Sequence, residues 1–445
     1  MSKAIRTLTI LIAGAAVLTV LAGCGLGTSG SNAFAPSVTE TVALKGLGHG
    51  GQQPISGATV QLYAVGNTGY GSAATSLNAL NASSQPVTTD ANGNFSISSF
   101  TCTSPCTASS MVYITLSGGN PGLTAGTNNT ASLLLSALGT ESNVHNISFI
   151  WMNEITTAAA VYALAPFYGA DAYHIGSSAT NATGISNAFT TAQQLANIGT
   201  GLPGGPSLPS GATVSSDSLL AIADILATCV NSTGPGSPGC SSLFSATGGS
   251  DITYAAMSMA RNPATNVGTL WGLVPGTGAR VFNTALSNVP NDWSLSINYS
   301  GSMSTPSSPA VDVNGNVWMV NSGNSSVTRL TPSGAPNTLT LGSTPNALAL
   351  DSSGNAWVAA GTTSGNSTLY GVNGSVSLAS TCTGNGLNVP KGITVDTAND
   401  LWLINSNSTL SGFYNTCSGS TSSGFIGNFS GAGLTTPVGI VASVH

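Results

Sequence analysis

The chain predicts a mainly β protein with a helical middle region and a C-terminal run of propeller-type repeats. Three observations carry this. Strand-length apolar alternations broken by glycine-rich turns fill the first part, helical spacing fills the middle, and one turn motif recurs three times after residue 293. A length of 445 residues leaves room for roughly two to four domains.

Charge is scarce. Asp, Glu, Lys and Arg make up only 4% of residues, where about 25% is usual. Polarity is carried instead by Ser, Thr, Asn and 56 glycines. After residue 24 no stretch is apolar over the roughly 20 residues that a membrane helix needs. Beyond that point five basic residues (Lys45, Arg261, Arg280, Arg329, Lys391) stand against thirteen acidic ones. Phosphate neutralisation needs clustered Lys and Arg, so nucleic acid is not expected as a partner. The balance fits a β-rich exported protein.

Residues 1–23 read as an export signal. Lys3 and Arg6 precede a 13-residue apolar core, Leu8 to Val20, too short for a stable span. Leu21-Ala22-Gly23-Cys24 resembles the bacterial lipobox. That resemblance implies cleavage before Cys24, a diacylglyceryl group on its sulfur and attachment to the membrane through that lipid. The competing reading is an ordinary signal peptide with an incidental cysteine. Gly25 in the next position implies sorting to the outer membrane, and residues 24–37 read as a flexible tether. The other six cysteines fall into close pairs, Cys102 with Cys106, Cys229 with Cys240, and Cys382 with Cys417. An even count in an exported chain predicts three local disulfides, although spacing alone leaves the connectivity open. Metal ligation competes with this, but no CxxC pairs face each other and no histidine lies near.

Residues 38–150 read as strands. In GATVQLYAV, Val60, Leu62 and Ala64 share one face, and Thr59, Gln61 and Tyr63 share the other. TTDANGNFSI places a turn at Asp90 to Asn94, and MVYIT and SLLLSAL supply further apolar strands. The pair of segments 57–63 and 89–95 resembles the carboxypeptidase regulatory-like family. The resemblance implies a transthyretin-type β-sandwich, usually a non-catalytic spacer or binding element.

Residues 151–290 change to helical spacing and read as a small α-helical domain. Leu219, Ile222, Ala223 and Leu226 form one apolar stripe, with Ser216 and Asp217 at the helix start. NEITTAAAVYAL and TYAAMSMARNP predict further helices, the latter stopped before Pro263. GTGLPGGPSLPSG, residues 199–211, predicts a loop.

Residues 291–445 carry the repeats. Asp312-Val-Asn-Gly315-Asn-Val-Trp318, Asp351-Ser-Ser-Gly354-Asn-Ala-Trp357 and Asp396-Thr-Ala-Asn399-Asp-Leu-Trp402 share one spacing. Each aspartate follows a proline by six residues, and the prolines at 306, 345, 390 and 437 are 39, 45 and 47 apart, the period of a four-stranded blade. The aspartate accepts the turn amides, and Gly315, Gly354 or Asn399 takes the left-handed position. Each tryptophan opens the next strand, where it either packs between blades or contributes to an aromatic ladder for sugar rings. These units resemble the NHL and streptogramin-lyase-like propeller families. They make three complete blades and part of a fourth, a partial β-propeller. Residues 292–301 complete the last blade, another chain does, or the chain stops short.

Little chemistry is legible. The streptogramin-lyase family uses a histidine base and a divalent metal. Between 293 and 444 this sequence has neither His nor Glu, its carboxylates there are Asp312, Asp351, Asp396 and Asp400, and His445 is terminal. No catalytic residue, metal ligand or cofactor is assigned. His49 reads as a solvated loop imidazole, Glu141 with His145 as a hydrogen-bonded or weak metal pair, and Glu154 as a complement to a helix dipole. Asp171, Asp217, Asp224 and Asp251 have no pattern that a glycosidase pair would need. The chain resembles uncharacterised NHL-repeat lipoproteins. The expectation is a lipid-anchored envelope protein, non-catalytic, with a polysaccharide or protein partner; a lyase or carbohydrate-active enzyme and a structural spacer are the alternatives.

Overall fold

The computed structural model describes residues 38–442 apart from Ala172, 300–302, 420–423 and Ala432. Residues 1–37, read above as an export signal, Cys24 and a tether, and His445 lie outside the described residues. The chain is mainly β. Its principal N-terminal strands are β1 (Val38–Gly50), β2 (Thr59–Ala64), β3 (Asn94–Cys102), β4 (Met111–Ser117), β5 (Leu133–Thr140) and β6 (Phe149–Met152). In one sheet β1 pairs antiparallel with β3 and parallel with β6. In the other, β4 lies between β2 and β5, antiparallel to both. The period-2 pattern of β2 is realised directly: Val60, Leu62 and Ala64 are buried, and Thr59, Gln61 and Tyr63 turn to the more open face. At Gly46 a Cβ would meet the Phe95 ring at 2.1 Å and Ile150 O at 2.7 Å, so only glycine lets β1 approach both neighbours.

The longer helices that follow are α1 (Glu154–Leu164), α2 (Ala182–Leu195), α3 (Ser216–Val230), α4 (Pro238–Thr247) and α5 (Ile252–Arg261). Asn153 starts α1 with a capping box, its side chain accepting from Thr156 N while the Thr156 hydroxyl accepts from Asn153 N. Nearly every α1 side chain is buried, because α1 packs against β5, α2, α3 and α5. One hydrophobic core runs unbroken from Val42 to Trp293 across both sheets and the helices. Trp293 is fully buried in it, and Ile297–Asn298 pairs with Thr213–Val214. Trp293, Leu295 and Ile297 therefore pack with this core, while residues 300 and 301 of the segment 292–301 lie outside the described residues.

The repeats form three successive four-stranded antiparallel sheets, a propeller-like arrangement. They are β7 (Pro306–Val311) to β10 (Pro336–Thr340), β11 (Pro345–Leu350) to β14 (Leu378–Thr383), and β15 (Pro390–Val395) to β18 (Phe425–Ser430). Their first strands lie side by side, joined where Asn346 Nδ2 donates to Gly361 O and Pro390 O at 2.8 and 2.9 Å. The three disulfides are Cys102–Cys106, Cys229–Cys240 and Cys382–Cys417, each closing a local loop.

Candidate functional site

The three acidic corners share their turn-amide and indole bonds, and the first two add a side-chain amide bond, from Asn316 and Asn355, where the third has Asp400. Oδ1 of Asp312, Asp351 and Asp396 accepts the N–H groups two and four residues on, at 2.9–3.0 Å. Oδ2 accepts the indole N–H of Trp318, Trp357 and Trp402 at 3.1, 3.1 and 2.9 Å. This indole bond is the reason for the constant six-residue offset, a signal the spacing carried and the turn argument alone did not explain. Gly315 and Gly354 have φ near +78° and Asn399 +66°, the left-handed position such a turn requires. Partial burial pushes the Asp312 carboxyl up, but hydrogen bonds from Asn316 and Trp318 outweigh it and leave it below the ordinary carboxylate range. At Asp396 the Trp402 bond dominates in the same direction. Trp318 and Trp357 are buried, and the Arg329 guanidinium lies 5.8 Å over the Trp318 ring. Trp318 shares a buried cluster with Leu348 and Ala356 of the second sheet and Trp357 one with Ile393 and Leu401 of the third, so both sit between blades, while Trp402 is half-buried beside Phe429. Asp90 repeats the corner in the N-terminal part, accepting Asn92 N and Asn94 N at 2.8 Å.

The remaining acids and histidines form separate pairs. His145 Nε2 lies 3.7 Å from Glu141 Oε1 and 4.0 Å from Glu40 Oε2. Asp171 engages His174 instead, with Oδ2 2.5 Å from Nδ1 and Oδ1 accepting His174 N at 2.8 Å. Among the described residues no group of three or more His, Cys, Asp or Glu is placed to hold a metal ion. Asp217 accepts Ala285 N, and Asp251 caps α5. His49 is not in a loop: it ends β1, and its ring meets Trp151 edge-on at 5.2 Å, so burial lowers its pKa. Glu154 differs too. It is fully buried, and both carboxyl oxygens face Gly51 N at 3.0 Å. Burial pushes its pKa to about 8 against the pull of that N–H, with Asp224 adding to the rise. Asp224 is itself buried, accepting Val281 N and Phe282 N at 2.9 Å through Oδ1, while Oδ2 has no partner. Glu154 does occupy the first turn of α1, and its buried carboxyl also ties that turn to Gly51 at the end of β1.

The arrangement best suited to a ligand is a cleft over the polar face of β2 and β4. Its volume is about 290 Å³, and Tyr63, Thr115, Ser132, Tyr173 and Asp251 are among its lining. Tyr63 stacks on Tyr113 at 5.5 Å and meets Tyr173 at 6.2 Å, tilted 48°. Tyr113 donates its hydroxyl to Tyr173 O at 2.5 Å, and the Asp171–His174 clasp closes the same loop, so Tyr173 is held from both sides. Burial raises the Tyr63 pKa, and proximity to Tyr173 adds to it, so the phenol stays protonated. Ser132 is 2% exposed and its hydroxyl has no partner. Asp251 commits Oδ1 to Thr253 Oγ1 and Tyr254 N, whereas Oδ2 takes only the Ser250 hydroxyl at 3.3 Å. The cleft thus offers aromatic surface, hydroxyls and one partly free carboxylate oxygen.

No family model matches the chain, and no curated protein matches it. Among solved structures, it is similar to virginiamycin B lyase from Staphylococcus aureus at 18% identity and TM-score 0.28, over 34% of this chain and 50% of that one. A streptogramin B lyase structure is matched at 20% identity and TM-score 0.29, over 34% and 49%. A protein of unknown function from Bacteroides caccae is matched at 16% identity and TM-score 0.25, over 30% and 52%. The chain spans about half the length of each.

Proposed function

We propose that this chain is an exported, lipid-anchored and non-catalytic recognition module of the cell envelope, held through Cys24 and binding a polysaccharide or a protein. In this reading the two N-terminal sheets form a transthyretin-type sandwich, residues 151–290 are a helical domain, and the blades are NHL-like repeats. The observation that carries the reading is the cleft at Tyr63 and Tyr173, a preformed concave site with convergent polar groups. Supporting it, the aspartates of the three corners spend their oxygens on turn amides and indoles. No reaction is assigned. The test is capture of envelope polysaccharides and surface proteins by the mature chain, with mass analysis of the Cys24 peptide in parallel. A specific partner in either class, recovered without chemical change, is expected. Turnover of a captured ligand, or an unmodified Cys24, refutes the corresponding part.

A further inference from the structure

The cleft can be read more closely, on the basis of the recognition role just proposed. Ser117 and Thr130 line it, and the same two residues line a second cleft of about 460 Å³ that continues past Thr59 and Asn128. The two form one trough along the polar faces of β2 and β4. The second cleft is lined only by Ser, Thr, Asn and Gly, with no charged side chain. Across both clefts the single charge is Asp251. At one end stand Tyr63 and Tyr173, the latter 38% exposed.

Each feature limits the ligand. Two tilted tyrosines present apolar ring faces with hydroxyl tips, which suits a group that is apolar on one face and hydroxylated at its rim. A row of hydroxyls and amides exchanges donors and acceptors with many hydroxyls and has no cation to neutralise an acid. Asp251 repels a carboxylated or sulfated ligand and can accept from a sugar hydroxyl at Oδ2. The Ser132 hydroxyl is buried without a partner, which costs about 1–3 kcal/mol unless a ligand supplies one. Length along the trough matters too, since each cleft is of small-ligand size.

We infer that this trough binds a neutral oligosaccharide, one pyranose lying on the Tyr63–Tyr173 pair and further units running over the Ser, Thr and Asn lining. Acidic polymers such as uronates are excluded by the same chemistry.

The experiment titrates the full mature chain with maltohexaose, cellohexaose and mannohexaose, with hexagalacturonate as the acidic control, by calorimetry. At least one neutral hexaose binds, and the acidic one does not. Tyr173→Ala weakens binding about tenfold and lowers melting only slightly, because the Tyr113 hydroxyl donates to the main-chain oxygen of Tyr173, which the substitution keeps. Ser132→Ala weakens binding about fivefold while melting stays equal or rises, since the free protein loses no hydrogen bond. Neutral binding that survives both substitutions overturns the site but leaves the recognition role standing. Preference for hexagalacturonate overturns the ligand class. Should no sugar bind while a surface protein is captured, the oligosaccharide inference falls and the recognition role holds; capture of neither refutes both.

Discussion

Replacing Glu154 by glutamine exchanges a carboxyl for an amide in a fully buried tie and removes its dependence on pH. In the unfolded chain this carboxyl loses its proton near 4.5; in the folded chain burial holds it until about 8. Folding therefore takes up a proton between those values, and stability is highest below 4.5 and declines as pH rises through the window. At about 1.4 kcal/mol per pH unit the gap sets a ceiling near 5 kcal/mol, and relaxation around a buried ion trims such penalties to about 2–4 kcal/mol. Glutamine keeps an acceptor for Gly51 N–H and never ionises. Urea unfolding followed by circular dichroism at pH 5, 6.5 and 8 measures the effect. The natural chain loses about 2–4 kcal/mol across the series. The Glu154→Gln variant stays nearly flat and is the more stable of the two at pH 8. Asp224, also raised by burial, gains an uncharged neighbour in that variant, which acts in the same direction. Parallel profiles for the two proteins, or a natural chain that is firmer at pH 8 than at pH 5, refute the reasoning.

Asp351→Ala strands the indole N–H of Trp357 and two turn amides, so equilibrium unfolding should show a loss of about 2–3 kcal/mol. Trp318→Ala empties a fully buried slot and costs about 3–5 kcal/mol, with sugar affinity of the folded protein unchanged by calorimetry; selective loss of affinity would revive the aromatic-ladder role. Serine at both Cys382 and Cys417 opens a loop of 35 residues and costs about 4 kcal/mol in denaturant, against about 2 for Cys102 and Cys106. Far-ultraviolet circular dichroism at pH 3 should match that at pH 7, because Glu154 and Asp224 hold their protons more readily when folded. The lowered carboxyls of Asp312 and Asp396 oppose this, since their stabilisation is lost as pH falls through their depressed values. Collapse of the signal at pH 3 would mean that the corners outweigh the buried pair.

The amino-acid sequence by itself determined what is local. The Asp-to-Trp corner closes within six residues, the disulfides close loops of 4, 11 and 35, and the alternation of β2 and the stripe of α3 follow from backbone period alone. Helix α2 was harder to read because its Thr, Asn and Gly residues are weak helix formers, and its start rests on the Asn181 side chain accepting Gly184 N. Tertiary structure alone decided the rest. The tie from Glu154 to Gly51 spans 103 residues, and Tyr113 reaches Tyr173 across 60. Nothing in either local pattern marks them; the one hint was Tyr63 on the polar face of its strand. Burial and proximity across such separations are set by how sheets and helices pack, and those two quantities turn an ordinary glutamate into a proton-holding group and scattered tyrosines into a cleft.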